Sequence, residues 1–192
     1  QLILSFSILM TFNHLAILVG LISILPVAIY PFAKRFTWWP QLFLGICFNW
    51  GILLSFVAHN NSIGASTIIL YCAGIFWTLF YDTIYAFQDT EDDELIGLKS
   101  TALLFGDKAK YWLTFFIVMI FILMQISFNQ VTISNAGSKI IMECGAVLFC
   151  LHLIWQLWKF DQNDKKACLE LFQSNKTAGL IIVACSIFSF LS

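Results

Sequence analysis

The sequence predicts an all-α integral membrane protein, a helical bundle that crosses the bilayer several times. Of its 192 residues, 60% are hydrophobic and 11% are charged, and the mean hydropathy is +0.86. Soluble domains of ordinary composition carry about 25% charged residues. Helices that face lipid need this apolar excess, whereas the core of a soluble domain does not. Because the chain has no internal repeat or low-complexity stretch, we expect residues 1–192 to form a single domain.

Seven apolar runs provide the predicted helices. The first, residues 2–12, is too short to span a bilayer alone, since a tilted membrane helix needs about 17–25 residues. The others approach this length and cover residues 15–29, 41–58, 63–80, 111–128, 140–158 and 178–191. Pro31 disfavours helical geometry in Tyr30, so we expect the second run to end there.

The charged residues predict how these runs are oriented. Three connections, one after every second span, hold every lysine and arginine except Lys139: residues 34–35, 82–110 and 159–176. Connections that alternate in this way share one face of the membrane, and the positive-inside rule places that face in the cytoplasm. The opposite face has polar but almost uncharged connections at residues 11–14, 59–62 and 129–138. We interpret residues 159–176 as a solvated surface loop of mixed charge.

Composition and motifs also exclude several functions. A net charge of −1 provides no basic surface for nucleic acid, so no such partner is expected. The six cysteines form no CxxC pair and lie mostly in apolar runs, which favours packing over metal or disulfide roles. A transporter-like or regulatory bundle would need charges within its spans or paired broken helices. Almost every charge here lies at one membrane face, which instead favours an active site at the membrane interface.

The acidic residues cluster in a way that membrane topology does not explain. Seven of the eleven lie within residues 82–107, in and just after the stretch YDTIYAFQDTEDDELIGLKSTALLFG. A spacing of four predicts one helical stripe formed by Tyr81, Tyr85, Asp89 and Asp93, flanked by Asp82 and Asp92. Gly97 is expected to end this helix, and Ser100 and Asp107 are expected to be N-caps of the helices after it.

Carboxylates one helical turn apart repel each other unless a cation lies between them. Mg²⁺ favours one or two carboxylates, several waters and phosphate oxygens. We therefore interpret Asp89 and Asp93 as ligands of a Mg²⁺ ion that carries a diphosphate, with Lys99 contacting the same phosphates. The alternative is a solvated acidic loop between two membrane helices, which spacing alone favours.

Three stretches resemble the UbiA superfamily of membrane prenyltransferases, in particular its 4-hydroxybenzoate branch. The acidic segment, residues 81–106, resembles the second aspartate-rich motif of that family. The matching positions are Asp82-Thr83, Tyr85-Ala86, Asp89, Asp92-Asp93, Gly97, residues 99–102 and Phe105-Gly106. A second resemblance is YPFAKRFTWWPQLFLGICFNWG at residues 30–51, and a third, weaker one comprises Phe172, Asn175 and Gly179.

The resemblance implies the fold and the reaction. It implies a UbiA-type bundle of nine transmembrane helices, about seven of them present here. It also implies a first aspartate-rich motif upstream of Gln1, so we expect the domain to be incomplete at its N-terminus. The implied reaction transfers a polyprenyl chain from its diphosphate to 4-hydroxybenzoate for ubiquinone, with Mg²⁺ as cofactor. The implied location is the bacterial inner membrane, with the active site facing the cytoplasm. The alternatives are a related membrane prenyltransferase with another aromatic acceptor, or an inactive remnant that lacks the first metal site.

The resemblance also implies roles for individual residues. The implied metal ligands are Asp82, Asp89, Asp92 and Asp93, and the implied catalytic residues are Arg35, Asp89 and Asp93. The implied substrate-binding residues are Lys34, Arg35, Asn49, Tyr81, Tyr85 and Lys99. Arg35 suits the acceptor's carboxylate with its planar fork, and the faces of Tyr81, Tyr85, Trp50 and Trp77 can stabilise an allylic cation. The alternatives are a membrane anchor for the Lys34-Arg35 pair, an interhelical hydrogen bond for Asn49 and packing for each aromatic ring.

Overall fold

The computed structural model describes residues 1–131 and 135–191, and each regular element in these ranges is a helix. The predicted all-α architecture is therefore confirmed. In chain order, the helices are α1 (Leu2–Leu9), α2 (His14–Ile22), α3 (Ile24–Phe36), α4 (Pro40–Phe48), α5 (Trp50–Asn60), α6 (Ala65–Ala86), α7 (Thr90–Leu95), α8 (Thr101–Phe105), a one-turn 3₁₀-helix (Gly106–Lys108), α9 (Ala109–Gln130), α10 (Ala136–Lys159) and α11 (Lys165–Leu191).

Within the described ranges, six stretches of helix are long and apolar enough to cross a membrane. They are His14–Phe36, Pro40–Asn60, Ala65–Ala86, Thr101–Gln130, Ala136–Lys159 and Lys165–Leu191. Each overlaps one of the predicted apolar runs, and the first run forms only the eight-residue α1. The chain is therefore a multi-pass integral membrane protein. Of the predicted connection at residues 129–138, residues 132–134 lie outside the described residues.

The prediction that Pro31 ends the second span is wrong. Helix α3 continues through Pro31 to Phe36 and carries Lys34 and Arg35 in its last turn. A proline removes a single amide donor, and membrane helices tolerate this loss because adjustments nearby satisfy the freed groups. Helical bonding resumes beyond the proline, where the amide of Thr37 donates to the carbonyl of Ala33 at 3.0 Å.

Helix α6 is the centre of the bundle, and α4, α5, α9 and α11 pack against it. Its buried Phe80 joins Leu113 and Phe116 of α9 in the core. Hydrogen bonds also tie α6 to its neighbours; for example, Tyr71 donates to the carbonyl of Ile46 at 2.9 Å, and Ser127 donates to that of Ser66 at 2.9 Å. This packing holds the α6 end that leads into the acidic segment.

The interpretation of residues 159–176 as a surface loop is also wrong, because α11 begins at Lys165. Asp164 accepts a hydrogen bond from the amide of Ala167 at 2.9 Å, as an N-cap does. Cys168, Leu171 and Asn175 are buried at helical spacing on one face, while the charged residues of this part of the helix are exposed: Lys165, Lys166, Glu170 and Lys176. The mixed charge therefore belongs to the exposed face of an amphipathic helix.

Candidate active site

The acidic segment does not continue α6 as a single helix, so the predicted stripe of four residues is wrong. Helix α6 ends at Ala86, and Asp89 is the N-cap residue of the short α7. Phe87 directly follows the end of α6, and its side chain is buried there with its ring 5.3 Å from that of Phe160. Asp89 and Asp93 remain one turn apart, since the amide of Asp93 donates to the Asp89 carbonyl at 2.8 Å.

Two of the three predicted helix signals in this segment are confirmed. Gly97 has φ +71° and follows the end of α7, in the left-handed region that favours glycine. Ser100 caps α8 by accepting from the amide of Leu103 at 3.3 Å. Asp107 is not an N-cap. It lies inside the 3₁₀-helix and accepts a hydrogen bond from Gln162 at 2.9 Å.

Ion pairs bring the three predicted charged connections together. The Nζ of Lys34, at the end of α3, lies 3.2 Å from both carboxylate oxygens of Asp93 in α7. The Nζ of Lys165, at the start of α11, lies 2.6 Å from Oε2 of Glu91. This bond and the positive charge of Lys165 lower the pKa of Glu91 below its ordinary value. The acidic segment is thus held between α3 and α11.

The four predicted metal ligands differ in burial. Asp93 is only 4% exposed, Asp82 and Asp89 are half-buried, and Asp92 is exposed. Asp82 lies in the last turns of α6 and interacts electrostatically with Lys34. Asp82 and Asp93 therefore both lie near one cation.

Lys99 and Arg35 flank this ion pair. The amide of Lys99 donates to the carbonyl of Lys34 at 2.9 Å, which joins the basic pair to the acidic segment through the backbone. The ammonium of Lys99 lies 5.7 Å from the centre of the Trp38 ring. Arg35 is exposed, and its guanidinium makes no hydrogen bond or ion pair with any residue in the described ranges.

Asn49, between α4 and α5, connects the site to the membrane interior. Its Nδ2 donates to the carbonyl of Gly45 at 2.8 Å and to Oγ1 of Thr78 at 2.9 Å. Tyr81 donates to the same Thr78 oxygen at 3.3 Å. Asn49 therefore makes the interhelical hydrogen bond of the structural alternative, and its role in substrate binding stays a prediction.

The aromatic side chains at the end of α6 form one cluster. The Tyr81 ring lies 5.8 Å from that of Trp77 and 5.7 Å from that of Phe172, and the half-exposed Tyr85 lies 4.6 Å from Phe172. Trp77 also donates to Oδ1 of Asn175 at 3.0 Å. The weak third stretch of resemblance thus packs directly on α6.

Trp50 makes other contacts. Its Nε1 donates to the carbonyl of Val19 at 3.0 Å, and its ring packs edge-on against Tyr71 at 6.1 Å. These contacts tie α5 to α2 and α6.

A mostly apolar cavity of about 330 Å³ lies next to the aromatic cluster. Asn49, Gly74 and Trp77 line it together with apolar side chains of α9, α10 and α11. The arrangement is therefore amphipathic, with charged groups at the membrane face and an apolar space among the helices.

Sequence reasoning missed several residues that build this site. Thr83 and Thr101 share a buried hydrogen bond of 2.7 Å, and the amide of Thr101 donates to Oε1 of the buried Gln41 at 3.1 Å. The two threonines are among the positions that resemble the family motif, but no local signal identified their contact.

The carboxylates can be tested as magnesium ligands by their chemistry. Residues 1–131 and 135–191 contain no group of three or more histidine, cysteine, aspartate or glutamate side chains that could hold a metal together. Asp82, Asp89 and Asp93 offer only oxygen donors, which Mg²⁺ prefers, and one or two carboxylates suffice when phosphates supply further ligands. The residues therefore fit a Mg²⁺ ion bound with a diphosphate, rather than one enclosed by protein ligands.

The fold and this site define a multi-pass membrane protein with an acidic, lysine-containing centre at one membrane face. The model of the UbiA prenyltransferase family matches residues 1–189. The chain belongs to the UbiA prenyltransferase family.

Relatives with this sequence pattern are similar along nearly the whole chain. The mitochondrial 4-hydroxybenzoate polyprenyltransferase of Bos taurus is 45% identical over 183 residues, covering 95% of this chain and 48% of the bovine protein. The protein of the same name from Arabidopsis thaliana is 42% identical over 185 residues, covering 95% of this chain and 44% of the plant protein. The chain thus spans about half the length of these relatives.

Solved structures share the fold. The apo structure of a UbiA homologue from Aeropyrum pernix K1 superimposes with a TM-score of 0.78 at 23% identity, covering 96% of this chain and 68% of that one. A digeranylgeranylglyceryl phosphate synthase structure gives a TM-score of 0.69 at 20% identity, covering 98% of this chain and 66% of that one. At these identities, the likeness concerns the fold alone.

Proposed function

We propose that the protein is a magnesium-dependent 4-hydroxybenzoate polyprenyltransferase of ubiquinone synthesis. The observation that carries this proposal is the contact between two separate stretches of resemblance, in which Lys34 pairs with Asp93 at 3.2 Å. The names of the bovine and Arabidopsis relatives support the reaction. The amphipathic site suits a polyprenyl diphosphate, which is charged at one end and apolar at the other.

The carboxylates are assigned to the charged end of this substrate. Asp82, Asp89 and Asp93 would hold Mg²⁺ together with the diphosphate, and the exposed Asp92 would take part from the rim of the site. Bound Mg²⁺ supplies positive charge that stabilises the departing diphosphate. Lys34 and the half-buried Lys99 donate hydrogen bonds to phosphate oxygens, as compact point charges do.

The reaction breaks a carbon–oxygen bond of the donor and a carbon–hydrogen bond of the acceptor, and it forms a carbon–carbon bond between the two. The carbon–oxygen bond between the polyprenyl chain and the diphosphate breaks, and its electron pair leaves with the diphosphate. The allylic carbon then bonds to the ring carbon beside the phenol hydroxyl, and that ring carbon loses its proton to the released diphosphate or to water. The faces of Tyr81 and Tyr85 stabilise the allylic positive charge. Their contacts with Phe172 hold both rings in place.

The remaining substrate groups have two assigned positions. The isoprenoid chain enters the cavity of about 330 Å³ next to Trp77, which keeps water from the reactive cation. Arg35 binds the carboxylate of 4-hydroxybenzoate, because its exposed guanidinium has no ion-pair partner in the described ranges and can offer two parallel donors. Asn49 lines the same cavity and is placed to contact the chain.

The membrane location is part of this proposal. The sequence predicts a bacterial inner membrane, whereas the relatives are named as mitochondrial. In either location, we assign the active site to the membrane side that carries the charged face. Fractionation with markers of bacterial and mitochondrial membranes separates the two locations.

The experiment that tests the function is a product assay on protein purified in detergent. Protein, MgCl₂, a polyprenyl diphosphate and ring-labelled 4-hydroxybenzoate are expected to yield labelled, prenylated 4-hydroxybenzoate and free diphosphate. A parallel reaction with EDTA is expected to give no product. Prenylation of another aromatic acceptor, but not of 4-hydroxybenzoate, would refute the assigned substrate. Product formation in EDTA would refute the magnesium assignment.

A further inference from the structure

The ammonium of Lys34 forms an ion pair with Asp93, a carboxylate that the proposed function assigns to the metal. We propose that Lys34 is a displaceable counter-ion, which neutralises Asp93 in the metal-free protein and moves to the diphosphate when substrate and metal bind together. This inference rests on the proposed function and gives Lys34 a second state that the substrate-binding assignment does not contain.

The burial of Asp93 makes a counter-ion necessary. A carboxylate that is only 4% exposed is costly to keep charged without a partner. The Nζ of Lys34 is equally distant, 3.2 Å, from both of its oxygens. No other cation in the described ranges forms an ion pair with Asp93. A single ammonium therefore neutralises the charge and covers both oxygens that a metal would use.

The backbone of Lys34 is anchored, while its ammonium is able to move. Its carbonyl accepts the amide of Lys99 at 2.9 Å. Its side chain is 40% exposed, in contrast to 6% for the side chain of Asp93. A lysine ammonium has three donors on a flexible four-carbon stem, so it can exchange a carboxylate for a phosphate oxygen without movement of the helix.

Competition for the same two oxygens gives Lys34 opposite effects on two ligands. Mg²⁺ alone must displace the ammonium and leaves it without a partner, so Lys34 weakens this binding. A diphosphate that arrives with Mg²⁺ offers the ammonium new oxygens, so Lys34 strengthens that binding. Coupling of this kind is reciprocal and commonly amounts to about 5- to 150-fold in affinity. The site is therefore built to retain the metal only together with the diphosphate.

The test compares Lys34→Gln with Arg35→Gln in protein reconstituted into lipid nanodiscs. Both changes remove one positive charge, but Arg35 makes no ion pair with Asp93. Calorimetric titration measures the Kd for MgCl₂ alone and for MgCl₂ with the unreactive analogue geranyl thiodiphosphate. Lys34→Gln is expected to tighten binding of MgCl₂ alone by about fivefold or more and to weaken binding of the analogue by about fivefold or more. Arg35→Gln is expected to change the Kd for MgCl₂ alone by less than about twofold, since it leaves the pair intact.

Two further measurements keep the test decisive. Lys34→Gln leaves a buried carboxylate without a counter-ion, so its Tm is expected to fall and to be restored by MgCl₂. If that variant does not fold, Lys34→Arg replaces it: the guanidinium binds a carboxylate with two parallel bonds, so binding of MgCl₂ alone is expected to weaken.

This inference is overturned if the parent protein binds the analogue as expected but the parent and the Lys34 variants have equal Kd values for MgCl₂ alone. That result would leave the proposed function standing. A parent protein that binds neither MgCl₂ nor the analogue would overturn the proposed function, and this inference with it.

Discussion

Gly74 is the position at which one added methyl group should have the largest effect on the site. A Cβ atom built on Gly74 would overlap the Oδ1 atom of Asn49, and it would lie 3.2 Å from the Cβ of that residue. Asn49 can relieve the overlap only by moving. That movement breaks its hydrogen bond of 2.9 Å to Thr78, which also accepts from Tyr81.

The expected loss of stability combines two contributions. Overpacking between helices costs about 1–3 kcal/mol. A lost hydrogen bond in a partly buried position costs about 0.5–1.5 kcal/mol more. We therefore expect Gly74→Ala to lower the free energy of unfolding by about 1.5–4.5 kcal/mol. This change would also disturb the neighbouring bond of 3.3 Å that Tyr81 donates to the same Thr78 oxygen.

Gly51 is the matched control, because a Cβ atom there meets nothing within 4 Å. Gly51→Ala is expected to be neutral or slightly stabilising, since alanine favours helix over glycine by up to about 1 kcal/mol. Unfolding of the detergent-solubilised protein, followed by tryptophan fluorescence, measures both variants. Adding Asn49→Ala to Gly74→Ala should recover part of the overpacking loss. Equal stability of Gly74→Ala and Gly51→Ala would refute the reasoning.

Four other outcomes are expected. Asp89→Asn should lower turnover about tenfold to a hundredfold through the loss of ligand charge, and unchanged magnesium-dependent turnover would contradict its assignment. Arg35→Lys should raise KM for 4-hydroxybenzoate by about tenfold or more and leave KM for the diphosphate unchanged; a rise only in the latter would place Arg35 at the phosphates. Cysteines at Arg35 and Asn60 should react with an impermeant thiol reagent from opposite membrane sides, and labelling from one side would refute the topology. Lys165→Gln should raise the pKa of Glu91 in an NMR titration. In the parent, the stabilisation by the Lys165–Glu91 ion pair is present above the unfolded-state pKa of Glu91 and is lost as pH falls through its lowered folded-state pKa.

Hydropathy located the membrane spans because the length of an apolar run reports directly on bilayer thickness. It failed where a helix carries many charges. The start of α11 buries Cys168, Leu171 and Asn175 in a narrow stripe. The charged residues around this stripe lower the mean hydropathy of the segment, so an average over consecutive residues does not detect it. At Pro31, the tendency of proline to end a helix was outweighed because backbone N–H and C=O groups inside a bilayer must be hydrogen-bonded within the helix.

The candidate site was predictable in its composition but not in its contacts. Spacing suggested that Asp89 and Asp93 act together, and they do remain one turn apart. Lys34 lies 59 positions before Asp93, so no local rule specifies their pairing. Resemblance to the family assigned both stretches to the same site, but it did not distinguish the residues that hold the structure together, such as Thr83 and Thr101.

Pro31 has a mechanical consequence for the two motifs. Because it donates no amide hydrogen, the last turn of α3 is attached to the rest of the helix by one bond fewer, and bending is easiest there. That last turn is also fastened to the acidic segment, through the amide of Lys99 and through the Lys34–Asp93 pair. A bend at the proline is therefore resisted by these two contacts, because the acidic segment to which they lead is also fastened to α11 through the Lys165–Glu91 pair, and the cation stays beside its carboxylate.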